Sequence, residues 1–139
     1  MDRVDNTAAQ QIADAAGDFL KESAGRDPES VTVVLAGDTL VITLHGALSP
    51  AEKALAQTAE GAAQVQEFHR QLFASASGAL RRKIQQITGT EVREATGEVE
   101  FAGNAIVQVF TTGTVVQVFR MAGMVPTQTW NGDGIARRR

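Results

Sequence analysis

The longest regular pattern of apolar residues lies in the middle of the chain. Its members follow one another at spacings of three and four residues: Leu55, Ala59, Ala62, Val65, Phe68, Leu72, Ala76, Leu80, Ile84 and Ile87. This spacing places one apolar stripe along a helix. Ser49 is a suitable N-cap, Pro50 fits the first helical position, and Glu52 can complete a capping box. The pattern ends at Thr88-Gly89, so we predict a helix from Pro50 to about Thr88.

A helix of that length does not fit a compact chain of this size. It would be about 58 Å long, whereas the folded chain should span only roughly 37 Å. We therefore expect the helix either to break, with Gly61 as the candidate position, or to pack against a second copy. The second expectation is a homodimer whose interface is the apolar stripe, formed by Leu55, Val65, Phe68, Leu72, Leu80 and Ile84.

Shorter patterns predict the other elements. A helix is expected from about Ala8 to Ala24, capped by Asn6 or Thr7 and ended by Gly25. Residues 30–35 and 40–45 are rich in β-branched residues and flank a turn signal at 36–39, which predicts a hairpin. A charged, strand-like segment follows Gly89, and two apolar runs that share the tetrapeptide VQVF predict C-terminal antiparallel strands. The fold class is α+β, with one mixed sheet and helices on one face.

The last part of the chain is predicted to be a flexible tail. Pro126 interrupts a strand, glycines weaken any helix, and three arginines close the segment. We therefore expect a single domain over residues 1–121 and a tail over residues 122–139. Trp130 is expected either to pack back onto the domain or to face a partner, and we favour packing back, because an exposed Trp lowers solubility.

Composition narrows the class of protein. A net charge of −3, a pI near 5.3 and few aromatic residues disfavour nucleic-acid binding. No run approaches the roughly 18 apolar residues of a membrane span, and the first residues lack the apolar segment of a signal peptide. The chain has no cysteine, which excludes disulfides and thiolate sites and agrees with a reducing compartment. We therefore expect a cytoplasmic protein without direct membrane insertion.

Motifs for catalysis are not found in the sequence. His45 and His69 are the only histidines, and neither stands in a metal-ligand spacing. Glycine-rich phosphate loops and nucleophile elbows are also missing. The four carboxylates Glu91, Glu94, Glu98 and Glu100 are more typical of a solvated strand edge than of a catalytic pair. We therefore expect no catalytic residue, no metal and no cofactor.

Arg70 has two interpretations. It is either a surface arginine or a residue that pairs with Glu52, Glu60 or Glu67 across a helix–helix contact and fixes its register. A separate hypothesis brings Arg26, His69 and Arg70 together around a small anion such as bicarbonate.

Several separated motifs together carry a family resemblance. They are Gly25-Arg26-Asp27-Pro28, LSPAEKAL at 48–55, Gly61, FHR at 68–70, and the segment from Ile84 to Val92, followed by VQVF. In this order they resemble the MpsC-like family of small bacterial proteins, which takes its name from a membrane-potential-generating system, over roughly residues 8–112. The resemblance implies a short cytoplasmic protein associated with a membrane ion or bicarbonate uptake system, and it transfers no catalytic residue. The second VQVF and the Trp-containing tail depart from the family pattern.

Two functions follow from these observations. The first is a non-enzymatic, homodimeric accessory or regulatory subunit with a possible membrane-protein partner. The alternative is a sensor domain that binds a small anion.

Overall fold

The computed structural model describes residues 7–92, 105–109 and 113–132. Within them the element order is α1 (Ala8–Ala24), β1 (Ser30–His45), α2 (Pro50–Leu55), α3 (Ala59–Thr88), β2 (Ala105–Val109) and β3 (Val115–Gly132). The predicted α+β class is confirmed. The carboxylates of Glu94, Glu98 and Glu100, and residues 133–139, lie outside the described residues.

Helix α1 has the bounds that the sequence predicts. Its N-cap is Thr7, whose hydroxyl oxygen accepts a hydrogen bond from the Gln10 amide at 3.2 Å. Gly25 ends the helix in the left-handed conformation, with φ 73°, which costs glycine little. Ile12 and Leu20 lie on the face that packs against the sheet, and both are buried.

Strand β1 folds back on itself. The amide of Glu29 donates to the carbonyl of His45 at 2.8 Å, whereas a straight strand of this length would separate those residues by about 50 Å. The reversal lies at Gly37, whose φ is 62°, and Asp38 has no positive φ. Glycine with positive φ at the first central position is the signature of a type II′ hairpin turn. The predicted hairpin is therefore present, with its two arms joined near Gly37-Asp38.

The hairpin supplies much of the core. Burial alternates along both arms, and the inward residues are Val31, Val33, Leu35, Leu40, Ile42 and Leu44. Helix α1 packs on this face. Alternation of this kind is what a sheet covered on one face by helices requires.

Strand β3 wraps around the tip of the hairpin. Its first part pairs with the second arm, from Leu44↔Val115 to Leu40↔Phe119, and its last part pairs with the first arm, from Leu35↔Gln128 to Val31↔Gly132. Strand β2 pairs with the free side of the first part of β3. All of these pairings are antiparallel. The described strands therefore do not form the predicted mixed sheet, because neighbouring strands run in opposite directions.

The predicted tail is partly strand. Residues 122–132 belong to β3, so the expected boundary between residues 121 and 122 falls inside a strand. Val125 is buried, and Trp130, opposite Val33, packs against the core. Pro126 is accommodated where β3 passes the hairpin tip, away from the regular ladder.

The predicted central helix is divided in two. Helix α2 ends at Leu55, and Thr58 caps α3 by accepting a hydrogen bond from the Gly61 amide at 2.9 Å. Helix α3 is 30 residues long, about 45 Å. Its inner side reaches α1 and the sheet through Phe73, whose ring lies 6.4 Å from Phe19 and 5.5 Å from Phe119.

Candidate functional site

The junction of α2 and α3 begins with a capping box. The Ser49 hydroxyl accepts a hydrogen bond from the Glu52 amide at 3.1 Å, and Glu52 Oε1 accepts one from the Ser49 amide at 2.9 Å. Pro50 occupies the first turn. The start of α2 is therefore the one that the sequence predicts.

Glu52 also ties α2 to α3. Its second carboxylate oxygen, Oε2, lies 2.9 Å from His69 Nε2. An ionised carboxylate only accepts hydrogen bonds, so Nε2 carries the hydrogen. His69 is only 4% exposed, and a polar group buried to that degree needs a partner. One carboxylate thus satisfies a helix terminus and a buried imidazole at the same time.

Gly61 lets the two helices approach closely. A Cβ atom at this position would overlap the carbonyl oxygen of Leu55. The break in the helix lies at residues 56–58, just before Gly61. The glycine is therefore required by the contact after the break rather than by the break itself.

Large apolar side chains are exposed on both α2 and α3. Leu55 is 46% exposed and Phe68 is 48% exposed, which makes them two of the few large apolar side chains at the surface of the described residues. Leu72, one turn after Phe68, is partly exposed. We call Leu55, Phe68 and Leu72 the α2–α3 face.

The structure divides the predicted interface residues between two environments. Val65, Leu80 and Ile84 are buried in the core of the chain itself, so they are not at its surface. Leu55, Phe68 and Leu72 form the α2–α3 face. The apolar residues of the pattern lie on both the inward and the outward side of α3. Their spacing alone does not show which side faces the core.

His69, like Phe73, is an inward residue that the predicted apolar stripe does not include. It lies between Val65 and Phe73 at spacings of four, and all three are buried. Its polar side chain excluded it from an apolar pattern. The signal that could have found it is this spacing, combined with a carboxylate in the preceding helix.

The three residues of the anion hypothesis have separate partners. The Arg26 Nε–H donates to the Gly46 carbonyl at 3.2 Å, His69 binds Glu52, and Arg70 binds Glu67. No hydrogen bond or ion pair in the described part of the chain joins these three to one another. The anion-binding alternative stays a prediction.

Arg70 forms a local surface pair. Its guanidinium donates to both carboxylate oxygens of Glu67, at 2.8 and 3.1 Å. These hydrogen bonds, with another from Gln71, hold the pKa of Glu67 below its usual value. Of the two interpretations of Arg70, the structure shows a surface arginine paired within its own helix.

A groove lies elsewhere, between α1 and α3. Its volume is about 600 Å³, and it is open to solvent. Asp18 and Glu22 line it on the α1 side, and Arg82 and Lys83 line it on the α3 side. None of the three residues of the anion hypothesis lines this groove.

The described residues show neither a metal-binding cluster nor a membrane-spanning helix. They contain no group of three or more His, Asp or Glu side chains placed to hold a metal ion. No helix among them has both the length and the apolar character needed to cross a bilayer.

Comparisons with known proteins place the chain in a family. No curated protein and no solved structure matched it. Residues 5–114 match the family described as Na+-translocating membrane potential-generating system (MpsC). The match covers α1, the hairpin, α2, α3 and β2, and it ends just before β3 begins. This chain therefore belongs to the MpsC family.

Proposed function

We propose that this protein is a non-enzymatic accessory subunit of a Na+-translocating membrane potential-generating system, and that it acts as a homodimer. The family description supports the link to that system. The cytoplasmic location and a membrane-protein partner are parts of the same proposal.

The observation that carries the dimer is the α2–α3 face. Leu55 and Phe68, on the neighbouring helices α2 and α3, are each nearly half exposed, and we infer that they belong to one contact site, because exposed apolar patches mark such sites. The opposite side of α3 is already packed in the core through Val65 and Phe73. A second copy could cover Phe68 with its own Phe68, because a two-fold axis brings the same patch of both copies together.

The surroundings of this face suit a specific contact. The Glu52–His69 hydrogen bond fixes α2 against α3, so Leu55 and Phe68 are held on a rigid support. The ring of Phe68 meets His69 edge-on, with centroids 5.5 Å apart. A preorganised apolar patch loses less side-chain entropy on association than a mobile one.

The experiment is size-exclusion chromatography with light scattering on three proteins. None of the three proteins is unfolded beforehand, and all are compared at the same concentration. We expect the wild type to be a dimer and Phe68→Glu to be a folded monomer under these conditions, because a buried unpaired carboxylate disfavours the interface. The matched control is Ala63→Glu, an exposed position on another side of α3, which should remain a dimer. A monomeric wild type, or a Phe68→Glu variant that is as fully dimeric as the wild type at that concentration, would contradict the proposal.

A further inference from the structure

The outer edge of the first hairpin arm is covered by the last described segment of the chain. Residues 31–35 pair with residues 128–132 in an uninterrupted antiparallel register. The Ala9 amide donates to the Gln128 side chain at 2.9 Å, and the Thr32 hydroxyl donates to Asn131 Oδ1 at 3.0 Å. We call residues 125–132 the C-terminal arm.

The link to the C-terminal arm has more residues than the part of the hairpin that it runs beside. Between Gly37 and Thr39 the hairpin advances two residues, while β3 passes from Val125 to Arg120. Met124 in this link is 78% exposed. Met121 is buried and pairs with Val92, and the Ala122 amide donates to the Glu91 carbonyl at 2.8 Å. The part of the link that can open as a hinge is therefore Gly123 and Met124.

The region that matches the family includes the binding edge but not the C-terminal arm. The edge, residues 31–35, lies inside the family match, whereas β3 lies beyond its end at residue 114. An uncovered strand edge presents unpaired backbone groups and is a template for another strand. Among the described residues, the strand that covers the outer side of residues 31–35 therefore lies beyond the region that matches the family.

We propose that the C-terminal arm exchanges between two copies, so that residues 125–132 of each chain pair with residues 31–35 of the other. The exchanged arm makes the same backbone hydrogen bonds that it makes within its own chain. Exchange of an identical element is a low-cost route to a dimer, and its extent depends on the hinge and on protein concentration. This contact does not use the α2–α3 face and does not rest on the proposed function.

Cysteine cross-linking tests the exchange directly, because the chain contains no cysteine. Val34 and Thr129 are partners across the arm, and Val41 and Val118 are partners across the part of β3 that precedes the hinge. Directly opposite residues in an antiparallel pair have Cα atoms about 4.5–5.5 Å apart, a separation that a disulfide can span. Only an exchanged arm places residue 34 of one chain opposite residue 129 of another.

Two single-cysteine variants, Val34→Cys and Thr129→Cys, are unfolded together in urea, refolded at high concentration and oxidised. A mixture of Val41→Cys and Val118→Cys serves as the matched control. We expect several-fold more disulfide-linked heterodimer from the first mixture than from the second on a non-reducing gel. Equal yields from both mixtures, or no heterodimer from the first, would overturn the proposal.

The double variant Val34→Cys/Thr129→Cys supplies a second measurement. Within one dilute preparation it should give intrachain disulfides, and their replacement by interchain ones as concentration rises is the expected sign of exchange. Intrachain disulfides alone at every concentration would refute exchange. Repeating the mixture with Phe68→Glu in both chains separates this contact from the α2–α3 face, since the heterodimer should persist.

Discussion

The side-chain carboxylate of Glu52 contacts both the N-terminus of its own helix and the imidazole of His69. Oε1 accepts the Ser49 amide hydrogen bond and Oε2 lies 2.9 Å from His69 Nε2. Both partners are donors, so the site needs two acceptor atoms on one side chain. A carboxylate provides them, whereas a carboxamide provides only one.

Substitution of Glu52 should therefore show graded effects. Glu52→Gln keeps an acceptor for the Ser49 amide, and it keeps the contact with His69 only if the imidazole changes its tautomer. Glu52→Ala loses both hydrogen bonds and leaves the buried imidazole without its partner. We expect Glu52→Ala to reduce the free energy of unfolding by about 1–3 kcal/mol, and Glu52→Gln by clearly less. Urea denaturation measures both, and equal losses would show that the two oxygens do not have separate roles.

The Ser49 cap gives a second test. Ser49→Ala should lower the free energy of unfolding by about 1 kcal/mol, because the Glu52 amide loses its acceptor. Ser49→Asp keeps an acceptor at the N-cap and should cost little. If the denaturation midpoint of Ser49→Ala equals that of the wild type, the capping box contributes nothing to stability.

Two glycines of α3 should respond in opposite directions to the same substitution. Gly61→Ala forces a Cβ into the Leu55 carbonyl and should destabilise by about 1–3 kcal/mol. Gly78 has no atom nearer than 3.8 Å to the position of its Cβ. Gly78→Ala should therefore stabilise by roughly 0.5–1 kcal/mol through helix propensity. Thermal denaturation of the pair would contradict this account if both shifts had the same sign.

The Asp38–Arg120 pair predicts a pH dependence. The Arg120 guanidinium donates to Asp38 Oδ2 at 2.7 Å and holds the pKa of that carboxyl below its ordinary value of 3.8. A carboxyl whose pKa is lower in the folded state stabilises the fold above its unfolded pKa and loses that contribution as pH falls through the folded pKa. The stability difference between wild type and Asp38→Asn should therefore be constant near neutral pH. It should shrink as the pH falls below about 4, the ordinary range of an aspartate.

Urea titrations between neutral and strongly acidic pH measure that difference. Arg120→Gln should reproduce the loss at neutral pH, since it removes the other partner of the same pair. A wild-type advantage over Asp38→Asn that grows on acidification would show the opposite sign and contradict the pairing.

Truncation tests the status of residues 122–132. The sequence pattern predicts a flexible tail from residue 122 onward, but in the structure residues 122–132 carry the buried Val125 and the pairing with the first hairpin arm. A chain that ends at Met121 should therefore lose more than about 2 kcal/mol, on the scale of removing buried apolar side chains. A chain that ends at Gly132 retains every described strand and is the control. Equal stability of the two truncated chains would show that the end of β3 does not contribute.

The features that the sequence predicts correctly depend on residues that are close together along the chain. The Ser49 capping box, the Thr7 cap of α1 and the Gly37 turn each depend on neighbours within a few positions. The partners that sequence reasoning missed are distant along the chain. Residues 128–132 pair with residues 31–35 across almost one hundred positions, and no local pattern contains that information.

The candidate site also combines local features, which the sequence predicts, with long-range contacts, which it does not. Glu52 was identified as a capping residue, but its second contact, to His69, depends on how α2 folds against α3. Phe68 and Phe73 are both apolar, and only tertiary packing decides that Phe73 faces the core while Phe68 faces outward. Periodicity predicts that α3 has an apolar side, and packing decides which part of it remains exposed.

The path of β3 around the hairpin also affects the order of folding during synthesis. The ribosome completes residues 30–45 long before residues 115–132, so both outer sides of the hairpin must wait for strands that are made later. Local contacts between α1 and the hairpin can form early, whereas closure of the sheet is a late, long-range step that carries a loop-closure cost. During that interval the nascent chain has two open strand edges, which makes it a substrate for chaperones and a risk for aggregation.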